Sequence, residues 1–241
     1  MGNDLKEKLG KLYLIPSSIE QNGIKDFLIE SQKKEIQHLT HFIVENEKAA
    51  RITLKSLNLN SPIQNAKLVQ HNKKHTLEKI DEYFEPIIAG KDIGLLSDSG
   101  NPCIADPGSK IVQRAHELKL KIRPLVGPSS ILLGLIASGF NGQKFKFHGY
   151  IPIKKNDRYK FLELIQSNVI KETETQIFIE TPYRNNQLLF DLLKKLNRNI
   201  RLCIAINLTS DNENIISARI NDWQKKELPD LSKQLCVFLI N

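Results

Sequence analysis

Leu95-Leu96-Ser97-Asp98-Ser99-Gly100-Asn101-Pro102-Cys103-Ile104-Ala105-Asp106-Pro107-Gly108-Ser109 joins an apolar run to an amphipathic one through a twelve-residue loop, 97–108. Joints of this kind ordinarily need about two to six residues. The preceding run, 92–96, follows the turn Gly90-Lys91 and reads as a buried strand. The following run, 109–118, places Ile111, Val112, Ala115 and Leu118 on one helical stripe. Ligands of open parallel sheets gather beyond the carboxyl ends of strands. The loop suits that position, because Gly100 and Gly108 let a ligand approach the backbone closely. Asp106 could instead cap the helix, with Pro107 at its first position. Asp98 has no such structural role.

Outward from this loop, strands and helices alternate. Strands are expected at 12–16, stopped by Pro16, and at 39–44, 66–70, 92–96 and 121–126. Helices are expected at 26–35, 49–57, 76–88 and 109–118. Five strands with intervening helices imply parallel βαβ units with both sheet faces covered. Val126-Gly127-Pro128 is the boundary, dividing a domain 1–126 from a domain 127–241. Beyond it come a helix at 129–138, ended by Gly139, and a strand at 144–150. That strand alternates Phe145 and Phe147 with Lys144, Lys146 and His148, as a half-exposed or cleft-lining strand would. Helices at 157–166 and 185–196 and strands at 175–180, 201–207, 213–220 and 235–240 complete the chain. The last three strands leave no room for crossover helices between all of them, so the second sheet should be mixed. The expected fold is α/β: two α/β domains, a five-stranded parallel sheet followed by a mixed sheet.

The 241 residues are 40% hydrophobic and 26% charged, which is the composition of a folded globular protein. No stretch approaches the roughly 18 apolar residues of a membrane span. The mixed N-terminal residues carry no secretory pattern, and Lys6 stands where myristoylation wants Ser or Thr. A cytoplasmic protein is expected. Three widely spaced cysteines, Cys103, Cys203 and Cys236, argue against a disulfide framework and for small packing residues. A net charge of +8 allows a polyanionic partner, provided the cations cluster. The densest group is Lys144, Lys146, Lys154, Lys155, Arg158 and Lys160. The first five are candidates for phosphate contacts with such a partner, and a solvated basic loop is the plainer reading of the same residues.

Signatures of Rossmann dehydrogenases, P-loop NTPases, α/β-hydrolases and zincins are absent from the sequence. His71 and His75 have the spacing of metal ligands on one helix face, but no third ligand stands near them. A packing pair and no metal are expected. The second strand end, Pro124-Leu125-Val126-Gly127-Pro128-Ser129-Ser130, places two hydroxyls and free backbone N–H groups at a helix start. These are suited to a ligand or to plain N-capping.

At these loops the sequence resembles the tetrapyrrole (corrin/porphyrin) methylase family, within it the branch of small-subunit ribosomal RNA ribose 2'-O-methyltransferases. The resemblance rests on Leu12–Pro16, Ser97-Asp98-Ser99-Gly100-Asn101-Pro102 through Ala105-Asp106-Pro107-Gly108, and Pro124 through Ser130. It continues in His71-Asn72, Phe147-His148-Gly149-Tyr150-Ile151-Pro152 and Glu180-Thr181-Pro182-Tyr183-Arg184. It implies a homodimer of chains with two α/β domains and S-adenosylmethionine in the cofactor cleft between them. Cofactor contacts would come from Pro16, Ser99, Gly100, Asn101, Ile104, Ala105, Ser129, Ser130, Tyr183 and Leu208. The expected acceptor is ribosomal RNA or the small ribosomal subunit.

A ribose hydroxyl loses its proton on methylation, so a base is useful. The candidates are Asp98, then Glu45, then Asp106. Departures from the branch pattern fall at Pro16-Ser17-Ser18-Ile19-Glu20-Gln21-Asn22-Gly23, at Glu45-Asn46-Glu47-Lys48 and at Asn207-Leu208-Thr209-Ser210-Asp211-Asn212-Glu213. They leave two other readings standing: a methyltransferase of the same fold acting on a tetrapyrrole or other small molecule, and a weakly catalytic RNA-binding or cofactor-sensing protein.

Overall fold

The structure, a computed structural model, describes residues 9–20, 27–72 and 74–241. The residues before 9 and the first-loop residues 21–26, including the expected helix start at Asp26, lie outside the described residues. The chain divides into two compact units between Pro128 and Ser129.

The first unit is built on β1 (Lys11–Ile15), β2 (His41–Val44), β3 (Lys67–Gln70), β4 (Ile93–Leu96) and β5 (Lys121–Pro124). Their order is β3-β2-β4-β1-β5, and every pairing is parallel. β4 lies between two partners under helices, so all four of its residues are buried. One sheet face packs Tyr13, Phe42, Leu54 and Leu96, and the other packs Leu12, Ile43, Phe84 and Ile111. The helices are α1 (Glu30–Ile36), α2 (Glu47–Ser56), α3 (Leu77–Glu82), α4 (Glu85–Ile88) and α5 (Ser109–Glu117). Asn46 caps α2, accepting from the amides of Lys48 and Ala49. The expected helix 76–88 is two helices. Thr76 caps α3, and Pro86 at the start of α4 has no N–H to continue the ladder across the break.

The second unit begins with α6 (Ser130–Ser138), capped by Ser129, whose Oγ accepts from the Leu132 amide at 3.4 Å. It continues through β6 (Phe145–Tyr150), α7 (Lys155–Glu172), β7 (Thr175–Ile179), α8 (Asn185–Lys195), β8 (Arg201–Ile206), β9 (Asn214–Arg219), α9 (Ile220–Trp223) and β10 (Cys236–Ile240). The sheet order is β6-β7-β10-β8-β9. β6 pairs parallel with β7, and the remaining pairings are antiparallel, giving the mixed sheet expected. α7 runs past the expected 157–166 because Val169 prolongs the buried stripe of Leu162 and Ile165. It ends at Thr173, which is left-handed at φ 49°. The strand expected to reach Ile220 stops at Arg219, and Ile220 and Trp223 are buried in the single turn of α9.

Cys103, Cys203 and Cys236 are free thiols. Burial pushes them up to about 11, 11 and 12, which suits packing groups. No helix among the described residues is long and apolar enough to cross a membrane.

Candidate functional site

The strand order of the first unit makes a switch point. The chain leaving β1 passes β4 to reach β2, and the chain leaving β4 passes β1 to reach β5. The loops after β1 and β4 therefore diverge at their carboxyl ends and open a crevice there.

Short hydrogen bonds hold these ends together. The Ser17 amide donates to the Gly100 carbonyl at 2.8 Å, and Ser17 Oγ donates to the Ser97 carbonyl at 2.7 Å. Ser97 Oγ donates back to the Gly100 carbonyl at 2.8 Å. Gly100 is left-handed at φ 66°, which its missing Cβ permits. Asn101 Nδ2 donates to the Pro128 carbonyl at 3.1 Å, tying the β4 loop to the chain beyond β5. Gly127 closes the third side: a Cβ there would lie 2.2 Å from Pro16 Cγ and 3.2 Å from Asn101 Oδ1. Thus the loop 97–106 and the turn Gly127-Pro128, distant in sequence, form one cradle with Pro16. Cys103 and Ala105 are left-handed at φ 71° and 59°, a conformation costly for residues with side chains and concentrated where loops bind ligands. Ile104 between them is exposed.

All three candidate carboxylates meet beside this cradle. Glu45 directly follows β2, and its Oε1 accepts from the Asp98 amide at 3.3 Å. The Asp106 carboxyl lies against Glu45. Burial and then Glu45, through a hydrogen bond and its charge, push Asp106 up to about 8. Burial and Glu45 also raise Asp98. Asp106 is therefore held in its protonated form at neutral pH. The described residues hold no group of three or more His, Cys, Asp or Glu arranged for a metal ion. Asp106 does not cap α5: the cap position is Gly108, with Pro107 before it, and Asp106 Oδ1 accepts only from the Gly108 amide at 3.4 Å.

The raised Asp106 has a consequence for stability. The folded chain binds a proton that the unfolded chain releases above about pH 4, so this contribution is full at low pH and fades as pH rises through about 8. His41, His71 and His148, lowered chiefly by burial, act in the opposite sense below about pH 6.5. The comparison with Asp106→Asn isolates the carboxyl. Urea unfolding at pH 5 and pH 8 should show the variant gaining stability relative to the wild type across that interval, as the wild type gives up its folded-state proton. An identical pH slope in both proteins would rule out the raised Asp106.

His71 and His75 do not share a helix. His71 follows β3 and His75 precedes α3, and both rings converge on the Tyr83 hydroxyl. They are a packing cluster.

The second unit holds the other expected residues. Ser129 and Ser130 open α6. Tyr183 stands on the short turn Pro182–Arg184 and is 87% exposed; the neighbouring Arg184 is anchored to buried Glu180. Leu208 is 5% exposed and packs with Leu135, Cys203 and Val237, so only its backbone is left for a ligand. Asn207 and Thr209 on either side are left-handed.

The basic cluster needs correction. Arg158 is buried: its Nε and Nη2 donate to Asp191 Oδ2 at 2.8 and 2.6 Å, and Nη1 donates to the Ile153 carbonyl at 2.7 Å. This guanidinium ties α7 to α8 and is buried away from any phosphate. Lys144 pairs with Glu172 at 2.6 Å, whereas Lys146, Lys154 and Lys155 are exposed. His148 is not on a solvated face either: it bonds to Gln176 and packs edge-on against Phe161.

Ser17, Ser97 and Gly127 complete the cradle and were not among the expected site residues. The signal for Ser17 is its place directly after a strand-ending proline, and for Gly127 its place before a helix-opening Pro-Ser-Ser.

The sequence profile of the Tetrapyrrole (Corrin/Porphyrin) Methylases matches residues 34–223. The chain belongs to this family. It is 29% identical over 237 residues to the "Ribosomal RNA small subunit methyltransferase I" of Buchnera aphidicola subsp. Schizaphis graminum, covering 97% of this chain and 79% of that relative. The protein of the same name from Bacillus subtilis is 29% identical over 217 residues, covering 90% of this chain and 70% of the relative. Among solved structures, the methyltransferase CobJ aligns with a TM-score of 0.62 at 16% identity, over 96% of this chain and 94% of CobJ. That likeness concerns the fold. Family membership and the two sheets agree with the sequence reading.

Proposed function

We propose that this protein is an S-adenosylmethionine-dependent methyltransferase that methylates a ribose 2'-hydroxyl of small-subunit ribosomal RNA. The observation that carries this reading is the cradle of Pro16, Gly100–Asn101 and Gly127 beside three carboxylates, in a member of a methylase family. Its relatives named for small-subunit ribosomal RNA match nearly the whole chain, which favours an RNA acceptor over a tetrapyrrole.

The residues present fit the cofactor. Gly100, where a Cβ would meet only the Pro128 carbonyl at 3.5 Å, and the exposed loop backbone leave room for close approach. The desolvated carboxylates favour a ligand bearing a sulfonium and an ammonium, because burying anionic groups without a cationic partner is costly. Pro16, Ser99, Gly100, Asn101, Ile104 and Ala105 would hold it in the first unit. S-adenosylmethionine supplies an electrophilic methyl group. The chain's work is to orient the acceptor in a near-attack position and to exclude water. Asp98, the exposed member of the trio, accepts the hydroxyl proton, and its raised pKa strengthens it as a base. Asp106, protonated against Glu45, keeps the trio from carrying three charges. In this reading the protein works in the cytoplasm as a homodimer.

The test compares ribose methylation of small-subunit rRNA, by mass spectrometry of nuclease fragments, in cells with and without the gene. One 2'-O-methyl group should vanish and return on complementation with the wild-type gene. Unchanged methylation at every site would overturn the assignment.

A further inference from the structure

The far edge of the second sheet carries a charge arrangement that the fold does not need. β8 and β9 pair antiparallel with Arg201 directly opposite Arg219. Like charges directly opposite on neighbouring strands are destabilising. No carboxylate relieves them: among the described residues neither arginine makes an ion pair, and neither do Lys225 and Lys226, which follow α9. The four cations border one open hollow of about 420 Å³, floored by Ser217 and Ala218 of β9, with Asp222 as its lone carboxylate. All four are exposed. Of the five cations expected to meet phosphate, Arg158 is buried and Lys144 is paired, while Lys146, Lys154 and Lys155 are exposed.

We propose that the hollow between β8, β9 and the end of α9 is a phosphate-binding surface that holds the phosphodiester backbone of the RNA substrate. The inference rests on the reading of the acceptor as RNA. Arginine forks grip phosphate oxygens in pairs, and lysines act as point charges beside them. Four cations around one hollow can contact neighbouring phosphates of a strand, where a free phosphate ion would use only part of the set. Such contacts position a nucleic acid without reading its bases. The hollow therefore contributes affinity and orientation, and the choice of nucleotide lies elsewhere. Opposed arginines kept without a partner are explained if their partner arrives with the substrate.

The experiment uses the full chain and a short fluorescein-labelled single-stranded RNA, with Kd read by anisotropy across a salt series. The variant Arg201→Gln/Arg219→Gln should bind at least about tenfold more weakly at low salt. Its slope of log affinity against log salt should be shallower by about 1.4, two contacts at about 0.7 each. Its Tm should equal or exceed that of the wild type, because the opposed charges are gone. Arg201→Lys/Arg219→Lys should keep most of the slope, and Lys171→Gln, a cation elsewhere on the second unit, should change nothing. S-adenosylmethionine affinity, measured by calorimetry, should be the same in all four proteins.

A wild type that binds RNA with salt dependence and a double Gln variant with the same slope would overturn the proposal while leaving the RNA reading intact. A wild type with no salt-dependent RNA binding would overturn both. A titration with inorganic phosphate forms the second arm. Loss of phosphate binding in the double Gln variant with unchanged RNA binding would mark a free-anion site and overturn the proposal.

Discussion

Gly127→Ala should lose S-adenosylmethionine binding by about tenfold or more and lower Tm by about 5–10 °C. The added Cβ falls 2.2 and 2.3 Å from two ring carbons of Pro16. Those carbons belong to a ring fused to the backbone, so no rotamer change relieves the overlap, and either β1 or the 127–128 turn must shift. Overpacking typically costs about 1–3 kcal/mol, and a rigid neighbour places this case at the upper end. Any shift also strains the Asn101–Pro128 hydrogen bond and hence the position of Gly100. Gly142→Ala is the matched control, since a Cβ there meets nothing within 4 Å. Calorimetry with the cofactor and a thermal melt decide the matter. A Gly127→Ala protein with wild-type affinity would show that the cradle does not seat the cofactor.

Asp98→Asn should lower kcat for RNA methylation by about two orders of magnitude with S-adenosylmethionine affinity unchanged, as removal of a general base does. Asparagine keeps the volume and leaves the amide that donates to Glu45 in place, so the loop survives the change. The wild-type rate should fall on the acid side as Asp98 takes up its proton. The raised pKa moves that limb above the ordinary carboxylate range, and the variant should lack it. A kcat within a few-fold of wild type, or a parallel loss of cofactor affinity, would remove Asp98 from the role of base.

Much of this architecture was legible in the sequence for a simple reason. Buried parallel strands such as Ile93-Gly94-Leu95-Leu96 are apolar throughout and end at Pro, Gly or Ser, so strand positions survive without knowledge of their partners. The long 97–108 loop advertised itself by length. Where the reading failed, the cause is spatial. Arg158 reads as one more surface cation beside Lys154 and Lys155, yet it shares a helical stripe with Leu162, Ile165 and Val169 and so points inward to Asp191. The stripe is present in the sequence, and its period rather than the charge decides where this side chain points. The helix break at Pro86 was likewise present in the sequence. Other features could not be read at all. Glu45 reaches Asp106 only because β2 and β4 are neighbours, and Arg201 faces Arg219 only through the register of β8 with β9. No local pattern encodes either meeting.

The strand order of the first sheet also bears on how the chain is made. β1 leaves the ribosome before both of its partners, β4 and β5, which come from residues 93–124. Until those residues emerge, an apolar ribbon waits with both edges unsatisfied, open to pairing with another nascent chain. β8 and β9, by contrast, are near neighbours in sequence and can close as soon as they are synthesised. Translation speed through the stretch before β4 therefore sets how long this protein is exposed to aggregation.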